Sequence, residues 1–251
     1  MYIDTLCHLS KKYYNDIDKV IEDNQIALID KIIISGCEKD ELKETLQLIH
    51  DYNIVYATIG YHPDQANIIT EEDIKNLENL IKNSKKVVGV GEIGLDYHYE
   101  NINKDNQRKI FEMQLQIAEK LSLPVVIHSR DATFDTIEIL KKYKVKGIIH
   151  CFSGSLETAK IYIGMGFKLG IGGVLTFKNS QLYKIIENIS LDNIVLETDS
   201  PYLTPEPYRG KTNSSKYIPV IAEKLSQIKG VSISEIAKMT TKNCYDLFDL
   251  D

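Results

Sequence analysis

Apolar residues in this chain fall into two alternating patterns that run from one end to the other. Short runs rich in β-branched residues occupy Tyr2–Thr5, Lys31–Ser35, Ile54–Ile59, Val87–Gly91, Pro124–Ile127, Lys146–Ile149, Phe167–Gly170 and Ile194–Leu196. Each is short enough, and apolar enough on both faces, to be a buried parallel strand. Between them lie Lys- and Glu-rich stretches whose apolar residues recur every three or four positions. Asp40–Tyr52, Glu71–Lys82, Asp105–Ser122 and Ala132–Tyr143 are the clearest amphipathic helices, and Ser232–Glu235 opens a last helix running toward Phe248. Thr70 followed by Glu71, Glu72 and Asp73 places a cap and negative charge at a helix amino end.

Eight strands alternating with helices give a repeat of roughly 30 residues, the size of one βα unit. The pattern predicts a TIM-type (β/α)8 barrel forming a single domain over residues 1–251. A doubly wound open sheet usually carries a Gly-rich phosphate loop after its first strand. Here the first strand leads instead into Leu6-Cys7-His8-Leu9.

Composition narrows the function classes only a little. A formal net charge of −6 argues against a protein that coats nucleic acid nonspecifically, but not against an enzyme with a few cations or metal ions in one cleft. No run approaches the roughly 20 apolar residues of a membrane helix, and Met1-Tyr2-Ile3-Asp4 does not open a secretory signal. Cys7, Cys37, Cys151 and Cys244 are scattered, so a reducing cytoplasm and no membrane partner are expected.

The chemistry-bearing residues concentrate at the carboxyl ends of the strands. The first leads to Asp4 and His8, the third to His62, the fourth to Glu92 and Asp96, the fifth to His128 and Arg130, the sixth to His150, and the eighth to Asp199. In a β/α barrel these ends form one face, where active sites are built. Four of the six histidines therefore share a mouth with Glu92 and Asp199. A lone histidine after a strand is more often a structural residue, and a lone carboxylate there often caps the next helix. Their joint placement points to divalent metal. Imidazole with carboxylate suits Zn²⁺ or Mn²⁺, and carboxylate oxygen also takes Mg²⁺. Two ions about 3.5–4 Å apart under a bridging carboxylate would clamp a phosphoryl group for in-line displacement.

Six runs carry a resemblance over essentially the whole chain. Asp4–Leu9, Gly60-Tyr61-His62-Pro63, Gly91–Asp96, Pro124–Ala132, His150–Gly154 and Glu197–Leu203 resemble, in order, the TatD-type metal-dependent deoxyribonucleases of the amidohydrolase superfamily. Gly172–Phe177 and Asn243 look like segments of the same family. The resemblance implies up to two divalent ions. Glu92 would bridge them, His128 and His150 would complete one site, and His8 and Asp199 would serve the other. Asp199 would also orient or deprotonate the attacking water, and His62 would sit beside the scissile phosphate. The implied activity is cleavage of DNA phosphodiester bonds by a monomer, from the 3′ end of single-stranded or frayed strands. An ester or amide hydrolase such as a D-aminoacyl-tRNA deacylase, or a metal-poor binding protein, are the alternatives.

Two departures qualify that reading. The family's first motif is Asp-x-His-x-His, and Leu6 stands where its first histidine belongs, leaving the His8 half one imidazole short. The loop Lys211–Ser215 lacks the proline usual after its asparagine and is expected to shape substrate access. Arg130 at the mouth could hold a phosphate bidentately, with a salt bridge as the alternative role. Arg209 is a candidate for a backbone phosphate and Tyr202 for stacking on a base. Cys7 and Cys151, each adjacent to a mouth histidine, are expected to be buried apolar residues turned toward the helices.

Overall fold

The computed structural model describes residues 1–100 and 102–250. Eight parallel strands form one sheet in chain order: β1 (Tyr2–Cys7), β2 (Ile29–Gly36), β3 (Val55–Ile59), β4 (Val87–Asp96), β5 (Val125–Arg130), β6 (Gly147–Ile149), β7 (Phe167–Ile171) and β8 (Ile194–Leu196). Around it lie α1 (Ile17–Ile26), α2 (Leu42–Asp51), α3 (Glu71–Lys82), α4 (Lys104–Leu121), α5 (Thr133–Leu140), α6 (Leu156–Gly164), α7 (Leu182–Ile186), α8 (Ile218–Lys229) and α9 (Ile233–Tyr245). This is the (β/α)8 arrangement, nearly closed. Capping at α3 follows its sequence signal: the Thr70 side chain accepts from the Asp73 N–H, and Asp73 accepts in return from the Thr70 N–H.

Strand alternation divides the apolar residues between two cores. Ile32 and Ile34 of β2, Val125 and Ile127 of β5, and Ile194 and Leu196 of β8 pack outward against helices. Ile33, Val126 and Val195, between them, point into the barrel with Ile3, Tyr56, Val88 and Ile148. The chain's last turns complete that inner core, as Cys244, Leu247, Phe248 and Leu250 plug the barrel's amino end. Asn243 fixes the plug, its Nδ2 donating at 2.7 Å to the carbonyls of both Leu191 and Ile194. Leu6, 1% exposed, belongs to this inner core.

The seam between β1 and β8 sets the position of everything after β8. Cys7 bridges Ser200 in parallel, His8 N–H donates to Ser200 O at 2.7 Å, and Asp199 N–H donates to Leu6 O at 3.1 Å. Asp4, fully buried, accepts from Thr198 Oγ1 at 2.6 Å and from Thr198 N–H at 3.0 Å. Burial pushes the Asp4 carboxyl up to about 7, against the hydrogen bonds from Thr198 and Ser215 that hold it down. Asn213 braces the same segment, its Nδ2 donating to Thr198 O at 2.9 Å and Tyr202 O at 2.6 Å. The Lys211–Ser215 loop is thus a strut beneath the mouth.

Replacing Thr198 by valine keeps its volume but strips a buried carboxyl of its hydroxyl donor. We expect a loss of about 1.5–3 kcal/mol in stability, read from urea unfolding midpoints at constant slope. A change within error would show that Asp4 is satisfied without the seam.

Candidate metal centre

At the carboxyl end of the barrel a cavity of about 460 Å³ opens, lined by His8, His62, Glu92, His128, His150 and Asp199 among others. Local backbone makes the approach possible. The β4 strand runs past its apolar segment to Asp96, and Gly94 (φ +148°) lets it pass β5: a Cβ there would lie 1.9 Å from the His128 carbonyl. His62 N–H donates to Cys37 O at 3.0 Å, tying the turn after β3 to the end of β2.

Glu92 stands at the centre, 3% exposed. Its Oε1 lies 2.8 Å from His128 Nδ1 and 3.8 Å from His150 Nε2, and its Oε2 lies 3.9 Å from His8 Nε2. Across from it, Asp199 Oδ1 is 3.5 Å from His8 Nε2 and 3.6 Å from His150 Nε2. The His62 ring meets His128 edge-on at 4.5 Å, and its Nδ1 lies 2.9 Å from Asp64 Oδ1. Donor atoms of His62, Glu92 and His128 fall within 4.8 Å of one another, as do those of His150, Cys151 and Asp199. His62 therefore shares a candidate ligand cluster with Glu92 and His128.

Further carboxylates flank the imidazoles. Glu197, fully buried, lies 2.9 Å from His150 Nδ1 and accepts from Cys151 N–H at 2.6 Å. Gly170 makes room for it, since a Cβ there would lie 2.1 Å from Glu197 Oε2. Asp96 Oδ2 is 3.2 Å from His128 Nε2. Such carboxylate–imidazole pairs fix ring orientation and raise ligand basicity.

The electrostatics follow from this crowding. Burial alone would raise Glu92, but the charge of His150 and the hydrogen bond and charge of His128 outweigh it and hold the carboxylate well below its usual range. Burial likewise opposes protonation of the histidines, and again the partners win. Asp96 and Glu92 lift His128 to about 9, Glu197, Glu92 and Asp199 lift His150 to about 10, and Asp199 and Cys37 help lift His8 well above its ordinary value. Among the described residues no lysine or arginine forms an ion pair with Glu92. A buried carboxylate set among imidazoles, with no lysine or arginine ion pair, forms a donor set for a divalent ion such as Zn²⁺, Mn²⁺ or Mg²⁺.

The remaining candidates divide. Arg130 and Tyr202 line the cavity; Arg130 lies 5.5 Å from the Tyr99 ring, and Tyr202 packs edge-on against His8 at 6.2 Å and Tyr13 at 5.9 Å. Arg209 does not line it, because its guanidinium covers the Phe177 ring at 4.1 Å and donates to Thr204 O. Cys7 is buried toward the helices as expected. Cys151 is not: it is only partly buried, and its left-handed backbone (φ +46°) breaks the alternation that would have turned it away. Sequence reasoning assigns no role to Glu197 or Cys37. Both carry the signal that locates the others, a polar or ligating side chain at the carboxyl end of an apolar strand.

Comparison with known proteins agrees with this architecture. The family described as TatD related DNase matches residues 3–249. The chain is 39% identical to the Bacillus subtilis metal-dependent hydrolase YabD, with all of both chains covered. It is 34% identical to Escherichia coli YcfH, also named a metal-dependent hydrolase, over 99% of this chain and 96% of that one. The crystal structure of the Escherichia coli TatD homologue YjjV superposes with a TM-score of 0.94 at 28% identity, covering 100% of this chain and 98% of that one. This chain belongs to the TatD-related DNase family of metal-dependent hydrolases.

Proposed function

We propose that the chain hydrolyses DNA phosphodiester bonds, working as a 3′-end exonuclease on single-stranded or frayed DNA in the cytoplasm. The observation that carries this reading is the placement of Glu92, whose two oxygens divide between His128 and His150 on one side and His8 on the other. That is the disposition of a bridging carboxylate. Glu92, His128 and His150 would hold one ion, and Glu92, His8 and Asp199 a second. Divalent ions bound there would polarise a phosphoryl oxygen and acidify water.

The protein's own groups do the rest. Asp199 Oδ1, facing the cavity between His8 and His150, accepts the proton of the attacking water. His62 Nε2 places a donor beside the phosphate, its ring held by the Nδ1 contact to Asp64. Arg130 offers two parallel N–H donors to a phosphate. Tyr202, half exposed at the rim beside Tyr13, offers a stacking face to a terminal base. A cavity of this size admits a strand end, and Arg209, outside the cavity, would meet a backbone phosphate of the remaining strand. No helix among the described residues is long and apolar enough to cross a membrane.

Incubation of labelled single strands with Mg²⁺ or Mn²⁺ tests the activity. We expect mononucleotides released from the 3′ end, and a drop of about 10²–10³-fold for Glu92→Gln. Rapid cleavage of carboxylic esters with no DNA product would overturn the reading.

Protonation sets the pH response. His128 and His150 are raised from 6.5 to about 9 and about 10 by carboxylates, so their pairing stabilises the metal-free chain fully below pH 6.5. That contribution is lost as pH climbs through 9 and 10. Metal needs the neutral imidazoles, so its affinity rises over the same window. Calorimetric titrations should show affinity increasing with pH while the melting temperature of chelated protein falls. Flat profiles would mean the imidazoles are already neutral.

Glu197→Gln keeps the shape behind His150 but removes its charge. We expect about 10–100-fold weaker metal binding and a downward shift of the pH at which binding becomes half-maximal. An unchanged profile would make Glu197 a packing residue only.

A further inference from the structure

The His8 half of the centre lacks an imidazole because position 6 is leucine, and that side chain is committed to the inner core. The neighbouring strand leads to another donor, just beyond its carboxyl end. Cys37 directly follows β2, which pairs in parallel with β1, and is 6% exposed. Its side chain lines the same cavity as His8, Glu92 and Asp199. Its carbonyl accepts from His62 N–H, so the residue is fixed from the next strand as well.

A buried cysteine usually serves as a small apolar residue, and Cys7 and Cys244 do so, packed in the outer and inner cores. Cys37 belongs to neither of those clusters. Its neighbours include an imidazole and a charged carboxylate, Glu92.

We infer that Cys37 is a metal ligand, supplying a thiolate where the family pattern has an imidazole at position 6. This rests on the hydrolase reading above. As the sulfur–metal bond forms, the S–H bond breaks and its proton leaves to solvent, with no change of oxidation state. The His8 half then combines one sulfur, one imidazole and two carboxylates. Such a set favours Zn²⁺ over Mg²⁺, which takes oxygen ligands.

Chelator-treated whole protein titrated with Co²⁺ provides the test, with elemental analysis of bound metal alongside near-ultraviolet absorption. We expect a sulfur-to-cobalt charge-transfer band in the native chain, retained in Cys151→Ser and lost in Cys37→Ser. Adding Leu6→His to Cys37→Ser should restore cobalt occupancy without restoring the band. The preference for Zn²⁺ over Mg²⁺ should fall at least about tenfold in Cys37→Ser. Zinc-edge X-ray absorption asks the same of the unsubstituted chain, where a sulfur neighbour at about 2.3 Å is expected. Bound metal with no sulfur neighbour, or a band that survives in Cys37→Ser, would overturn the assignment and leave the hydrolase reading standing. A native chain that binds no cobalt or zinc at all would overturn both.

Discussion

The buried carboxylate of Glu92 is the constraint around which the mouth of the barrel is organised. An ionised carboxylate taken out of water is tolerated only when paired or metal-bound. Here its counter-charges are imidazoles, which are themselves buried and therefore need carboxylates of their own. The requirement propagates outward: Glu92 to His128 and His150, His128 to Asp96, His150 to Glu197, His8 to Asp199. With the imidazoles neutral, these contacts leave a surplus of negative charge. That surplus is what a divalent cation would neutralise, and what otherwise draws protons onto His128 and His150.

Holding so many charges together requires a seam that does not slip. Asp199 adopts a left-handed backbone (φ +53°), unusual for any residue but glycine. Such a conformation costs about 1–3 kcal/mol and persists when the surroundings over-determine it. Asp199 N–H is held by Leu6 O and its carbonyl by Tyr202 N–H, while Thr198 just before it is held by Asp4 and Asn213. The buried polar residues of β1 and the 211–215 loop thus position a carboxylate they do not touch. Asp4 and Asn213 serve the site through Thr198.

Legibility in the sequence follows the strength of the physical signal. All eight strands are readable because a short apolar run, β-branched and bounded by polar helical stretches, suits a strand buried on both faces and little else. Their ends are harder to read. The β4 ladder continues through Glu92, Gly94 and Asp96, and β5 through Ser129 and Arg130, where polar side chains in a strand look like loop. Histidines at strand ends announce the centre, and Glu197 carries the same strand-end signal with nothing in its spacing to tell an orienting carboxylate from a ligand. Strict alternation misplaces Cys151 because it does not survive a left-handed residue. Arg209 looks like a ligand contact in one dimension, where the aromatic ring beneath it is invisible.

The two halves of the centre are built to different specifications. His128 and His150 each have a further carboxylate within 3.2 Å besides Glu92, Asp96 on the cavity wall and Glu197 in the interior. Among the described residues, the carboxylates facing His8 are Glu92 and Asp199, both on the cavity wall. Tyr202 packs edge-on against the His8 ring from the rim. Leu6 accentuates this difference, because it strengthens the inner core at the level where the family pattern has a second imidazole. A barrel interior shared between packing and chemistry cannot serve both at one position. At position 6 this chain gives the space to packing.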